Sequence, residues 1–346
     1  LQRILRTRLL ILLSVFILIN NAIFAAVSTV NKTGENYNTL TLWEDAKDGV
    51  LGEVETAELY VEDGALDDRV VIDGSTTASD KYMKITVPAS DRHAGVWSDS
   101  KSRIVPTSDG TVITVDDHYT VIEYLQIYPK GTSAESNGIG HSNSSDHNTY
   151  RYNLIDGHGS AYTCGISRVS SGELIYRNII WHCARDWAGG ILMFSGDANT
   201  YIVNNTIVGY GADYSYGIRD RSGTGSESRV INNAVFDCPY NFGSDTESWG
   251  AGSGYNATDS AAAPGSNNQV EKTSSSQFTS LTGGSENFHL KVGADCIDHG
   301  TDAGSPYDVD IDGDAEGATW DISADEYAAA APPAASKGAS QILILE

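Results

Sequence analysis

An asparagine returns along the middle of this chain at nearly constant intervals, and that recurrence limits the possible folds more than any other feature. "TYRYNLIDG" carries Asn153, "LIYRNIIWHC" Asn178, "YIVNNTIVGY" Asn205 and "RVINNAVFDC" Asn233. An earlier relative, "VIEYLQIYP", has Leu125 in the same slot, so the successive spacings are 28, 25, 27 and 28 residues. A sustained period of this order marks a stacked repeat. Asparagine is poor in strands and good in turns, yet here each copy sits between apolar residues. Two places after the slot come Ile127, Ile155, Ile180, Ile207 and Val235; three places before it come Ile122, Tyr150, Ile175, Ile202 and Val230. Those columns are an odd number of residues apart, which one straight strand of period two cannot reconcile. A bend at the asparagine resolves the conflict.

A further column repeats: Gly138-Ile139, Gly165-Ile166, Gly190-Ile191 and Gly217-Ile218, with Asn241-Phe242 as a continuation. Each repeat therefore holds three short strands and three turns, which is one rung of a parallel β-helix. A single rung cannot bury its own apolar face, so rungs stack, about 4.8 Å apart. The asparagines then lie above one another, each amide donating to one neighbour and accepting from the next.

Composition sets the outer limits. The chain has 346 residues, 35 of them glycine, and is 40% hydrophobic, which fits a turn-rich β protein with a sizeable core. Residues 1–26 combine Arg3, Arg6 and Arg8 with an apolar run and read as a secretory signal peptide, with an uncleaved anchor as the alternative. Its removal carries the formal charge from −24 to −27. So acidic a chain is not expected to bind nucleic acid, and no membrane span is expected after cleavage. The expected location is extracellular, periplasmic or at the cell surface; the oligomeric state is not legible. The expected divisions are 27–305 for the β-helix with an N-terminal cap, 306–327 for a capping segment, and 328–346 for an Ala/Pro-rich linker or tail. "VVIDGSTT", "YMKITVPA" and "VITV" read as irregular early rungs, and "TLTLWEDAKDG" as a short helix closing the N-terminal end. Cys183 and Cys238 share a column two rungs apart, roughly 9.6 Å by sheet spacing, too far for a disulfide. Cys296 reads as a buried thiol, and the state of Cys164 stays open.

Residues 119–245 resemble the right-handed parallel β-helix proteins of the pectate-lyase-like superfamily. "NFHLKVGADCIDHGTDAG" and "DVDIDGDAEGATWDISADEY" are similar to the closing segment of many secreted bacterial β-helix proteins, in which DIDG and DIGA-E recur; here Ser323 stands at the usual glycine. The resemblance implies an all-β, single-stranded, right-handed parallel β-helix with a helical N-terminal cap and a C-terminal cap. It also implies a functional groove along the Gly-Ile strand and the loops before it.

Candidate chemistry falls on that strand. Asp186 and Asp213 each lie eight residues after the asparagine and four before the glycine, so the two carboxylates are expected one rung apart. Such a pair could hold Ca²⁺ or share acid/base work; the bland alternative is two solvated loop aspartates. "GIRDRSG" places Arg219, Asp220 and Arg221 on an otherwise little-charged strand, with Arg168 in "GISRVSSG" nearby. Arginine recognises uronate or sulfate bidentately, though an exposed charge pattern of this kind is also consistent with plain surface. In lyases of this fold a calcium or basic residue neutralises the uronate and an arginine or lysine takes the α-proton. The resemblance thus implies Asp186 and Asp213 at metal or acid, with Arg219 or Arg168 as base and Asp220 beside them. Arg185, Trp187, Tyr214, Tyr216 and Arg221 are the candidate sugar-binding residues. Gly157-His158-Gly159 is similar to a polygalacturonase triplet, but neither its NTD nor its RIK partner is present. Asp308, Asp310, Asp312 and Asp314 begin like a calcium loop, but Thr319 stands where the closing glutamate belongs. The expected function is a secreted or surface protein engaging polysaccharide or a cell-surface glycan along one face, cleaving it as a lyase or hydrolase if it is an enzyme. The rivals are a non-catalytic adhesin and a structural spacer.

Overall fold

The computed structural model describes residues 26–33, 36–62, 64–130, 135–141, 145–157, 163–183, 189–194, 199–209, 215–221, 227–246 and 248–327. Residues 1–25 of the expected signal peptide 1–26 and the expected linker or tail 328–346 lie outside these, while Ala26 opens the first strand, Ala26–Val30.

Among the described residues, three parallel sheets of eight, seven and seven strands build a β-solenoid. The first sheet runs through Val121–Glu123, Thr149–Arg151, Leu174–Tyr176, Tyr201–Val203 and Arg229–Ile231. The second takes the strand just past each asparagine, as in Leu154–Asp156, Ile179–Trp181 and Thr206–Val208; the third takes the Gly-Ile strands, as in Thr163–Val169, Gly189–Met193 and Tyr216–Asp220. The registers are those of the sequence columns: Ile180 pairs with Ile155 and Ile207, Ile175 with Tyr150 and Ile202, and Ile191 with Ile166 and Ile218. All of them are buried inside the coil. The irregular early rungs are present as Val70–Ile72, Met83–Thr86 and Ile113–Val115.

Each bend before the second sheet is made by two residues. The first adopts a left-handed backbone: Tyr124, Tyr152, Arg177, Asn204, Asn232 and Tyr255 have φ between 51° and 62°. That conformation is costly for a residue with a Cβ. The second residue is the ladder asparagine, except after Tyr124, where Leu125 takes the slot, and the asparagine fixes the bend. Asn205 Oδ1 accepts the Asn178 main-chain N–H (3.0 Å) and Asn178 Nδ2 (3.0 Å), while Asn205 Nδ2 donates to the Ile175 carbonyl (2.9 Å) and to Asn233 Oδ1 (3.0 Å). The ladder continues past the recurrence seen in sequence, through Asn256 to Asn268. A second interior polar column, Thr120, Asn148, Glu173, Thr200 and Ser228, lies five residues before the asparagine slot and is fully buried.

The glycines of the third sheet follow from the width of the coil. A Cβ on Gly190 would lie 2.3 Å from the Gly217 carbonyl oxygen and 2.7 Å from Ile207 Cγ2. The isoleucines of the second sheet already fill the space that a side chain there would need.

Helix α1 (Leu40–Asp45) sits at the N-terminal end, with Thr39 Oγ1 accepting the Leu42 N–H (3.1 Å) and Leu40 and Trp43 joining the interior core. Residues 306–327, expected as a cap, lie along the flank of the stack. Thr301 bonds to Asn232, Asp321 and Ser323 to Asn204, and Ser323 and Tyr307 to Arg177, which also pairs with Glu316. The segment thus runs back past successive rungs. Its Ile311, Ile322 and Ala324, with Phe278, Phe288, Leu290 and Cys296, cover the outward residues Leu154, Ile179, Trp181, Val208 and Phe236 of the second sheet. An apolar sheet face of that extent must be covered, and this strap covers it. No cysteine forms a disulfide, and no helix among the described residues is long and apolar enough to cross a membrane.

Candidate functional site

Strand alternation decides which residues of the third sheet face outward. Ile166, Ile191, Ile218, Val169 and Met193 point into the core, so Leu192 and Arg219, which are paired, point out. Asp220 pairs with Met193 and therefore belongs to an inward column; it is 1% exposed. The structure thus separates Asp220 from the face that Arg219 occupies.

Just past the end of the strand at Met193 stands Phe194, a large side chain 46% exposed. The guanidinium of Arg168 lies 5.7 Å from the Phe194 ring centre and that of Arg221 5.3 Å from it. Arg168 reaches this place because a bulge between Ser167 and Val169 puts it at φ 60°. Both arginines are exposed. In the next column, Arg219, outward-facing but only 6% exposed, lies 4.4 Å over the Tyr216 ring and binds Asp245 at 3.1 Å. Tyr216 in turn stacks on Tyr240 at 4.9 Å with an interplanar angle of 19°. The result is a strip of cationic and aromatic side chains on one face of a strongly acidic protein. A planar cation beside an exposed ring suits a sugar carrying a carboxylate or sulfate: the ring takes the apolar sugar face and the guanidinium the anion.

Asp186, Asp213, Arg185, Trp187, Tyr214 and His158 fall outside the described residues. Of the expected site, the structure therefore brings together Arg168, Arg221, Arg219 and Tyr216. It adds Phe194, Tyr240 and Asp245. Tyr240 was within reach of sequence reasoning, since it precedes Asn241-Phe242 as Tyr216 precedes Gly217-Ile218. Phe194 was not, because it lies beyond the repeating pair.

The four aspartates of the acidic loop do not converge. Asp310 is buried and spends its carboxylate on the main-chain N–H groups of Asp312 (2.9 Å), Asp314 (2.8 Å) and Glu326 (3.1 Å). Asp308 and Asp314 are exposed. Asp312 instead meets His289 and Asp325. The Asp312 hydrogen bond raises the His289 pKa, and burial pushes the Asp325 carboxyl up to about 7.

Inside the coil, His141 bonds to Ser145 Oγ (2.8 Å) and Tyr150 OH (2.8 Å) and lies 3.3 Å from Glu173. Burial pushes His141 down to about 4 and raises Glu173 well above the usual carboxylate range. This enclosed network holds the bend before the first sheet.

A solenoid of this kind is an architecture that fits polysaccharide-interacting and surface proteins in general. No family model matches the chain, and no curated protein matches it. What the geometry defines is the class: a parallel β-solenoid with an internal asparagine ladder and a lateral strap.

Proposed function

We propose that this protein is a secreted or surface β-helix of the pectate-lyase-like kind that engages an acidic polysaccharide along its third sheet. The observation that carries this reading is the exposed Phe194 flanked by Arg168 and Arg221, continued by Arg219, Tyr216 and Tyr240. Exposed arginines in a chain of formal charge −24 need a reason to share one face, and an anionic ligand supplies it. Binding without cleavage is the reading the described residues favour: Arg219 is held by Asp245 and Tyr216, and Asp220 faces inward. Cleavage would fall to Asp186 and Asp213, with calcium as the group that neutralises a uronate beside them.

The test is binding of the full chain to immobilised polyuronates, sulfated glycans and neutral glycans at low and moderate salt. Unsaturated products and reducing ends are read in parallel. The expected result is salt-sensitive binding to the acidic glycans, weakened at least about tenfold by Arg168→Ala with Arg221→Ala, as loss of two charge-assisted bonds requires. Binding that ignores these substitutions, or no binding to any glycan, overturns the reading. Product release lost in Asp186→Ala or Asp213→Ala would make the protein an enzyme.

A further inference from the structure

A second cluster of functional side chains lies where the strap folds over the strand Asn287–Leu290, away from the third sheet. His289 Nε2 is 2.8 Å from Asp312 Oδ2 and 3.9 Å from Asp325 Oδ1. The three donor atoms lie within 4.8 Å of one another.

The orientation of the imidazole is fixed from behind. Asn287 Oδ1 lies 2.6 Å from His289 Nδ1 and also accepts the His289 main-chain N–H at 3.0 Å. An atom that accepts the main-chain N–H is the amide oxygen, so Nδ1 is the nitrogen that carries a proton. In the neutral ring, Nε2 then presents its lone pair to the two carboxylates. A histidine held by one ring nitrogen so that the other can ligate is the usual second layer of a metal site.

Asp325 adds an independent sign. Its side chain is 6% exposed. One carboxylate oxygen, Oδ2, accepts the Leu290 N–H at 2.7 Å. The other, Oδ1, takes no hydrogen bond among the described residues and is directed at His289. Gly95 forms the opposite wall: a Cβ there would lie 2.6 Å from His289 Nε2 and 2.9 Å from Asp312 Oδ1. Any side chain at 95 would occupy the space beside the donor atoms.

We propose that His289 Nε2, Asp312 and Asp325 are the protein ligands of one divalent first-row transition cation, of which Zn²⁺ is the representative, with water completing the shell. One imidazole and two carboxylates suit such an ion, whereas calcium and magnesium take oxygen donors. Asp310, by binding the N–H groups of Asp312 and Glu326, holds both carboxylate ligands in place. The ion ties the strap to the strand it covers and so stabilises the folded state alone.

The experiment uses the full chain, stripped with chelator and dialysed, then titrated calorimetrically with zinc chloride and, separately, calcium chloride. Thermal unfolding is followed with and without each ion. The expected result is one Zn²⁺ per chain and a higher midpoint with zinc. Asp325→Asn keeps an acceptor for the Leu290 N–H but loses the charge, and should weaken zinc binding at least tenfold, as should His289→Ala. Asn287→Ala keeps all three ligands and should weaken it by about 10–100-fold through loss of the imidazole's support; it carries the test if a ligand variant does not fold. The proposal is overturned if the chain binds no zinc with unit stoichiometry, if zinc binding survives His289→Ala unchanged, or if calcium binds at the cluster in preference to zinc.

Discussion

At the scale of the residue, the doubled asparagines have two separate tasks. Asn205 and Asn233 point along the stack and satisfy the main-chain N–H of the rung before. Asn204 and Asn232 adopt the left-handed backbone that favours asparagine, and turn their amides outward. Asn204 donates to the Asp321 and Ser323 carbonyls, and Asn232 to Thr301. The single recurring asparagine was legible because its slot repeats; the role of its neighbour was not, because its partners lie more than 60 residues away in the strap. Leu125 fits the same logic: it opens the ladder, so its N–H needs Asn153 but no earlier rung needs its side chain. Asn205→Ala strands the Asn178 N–H inside the coil and removes the side-chain donor from the Ile175 carbonyl. Its expected cost is about 3 kcal/mol, read as a lower urea midpoint with an unchanged slope.

At the scale of the element, one buried arginine ties the strap at three points, beside the contacts made by Asn204 and the apolar face. Arg177 is fully buried and donates to the Ser323 and Tyr307 carbonyls while pairing with Glu316. Burial lowers its pKa to about 10, so it remains charged at neutral pH. Arg177→Met removes the charge and leaves the Glu316 carboxylate, 2% exposed, without its cation. Breaking a buried pair in this way costs about 3–5 kcal/mol. Limited proteolysis should then cut first within 306–327 while the rungs resist, because the inner core does not depend on Arg177. Simultaneous loss of strap and rungs would show that the strap is integral to the coil.

At the scale of the whole molecule, the acidity of the chain leaves several carboxyls in apolar surroundings. Glu44 is 3% exposed, and burial with Asp48 beside it pushes its pKa up to about 8; burial raises Asp117 to about 6 and Glu173 far above its usual range. A carboxyl raised in the folded state favours folding below its unfolded pKa, and that contribution is lost as pH rises through the folded value. His93 and His141, both lowered to about 4, act in the opposite sense, stabilising above the unfolded histidine pKa and less so as pH falls. Between pH 6.5 and 8 (about the unfolded histidine value and the folded Glu44 value) the carboxyls dominate. Stability should therefore fall across that window, by about 1 kcal/mol per pH unit for each fully titrating group. Thermal midpoints measured through it check the sign, and Glu44→Gln should flatten the slope.

The sequence by itself determined the solenoid. Rung length, the inward columns, the bend and the glycines of the third sheet are all local in register, because each rung repeats the same strand pairing and packs only against its neighbours. Ile180, Asn178 and Gly190 could be placed from their own repeat alone. Tertiary structure alone decided what lies across the rungs. The course of residues 278–327 has no repeat to reveal it, and the apolar outer face of the second sheet says only that something must cover it. The meeting of His289, Asp312 and Asp325, and the grip of Arg177 on three separate points of the strap, depend on that course. Periodic order is written in the spacing of residues; a non-repeating segment finds its place only through the particular side chains it buries.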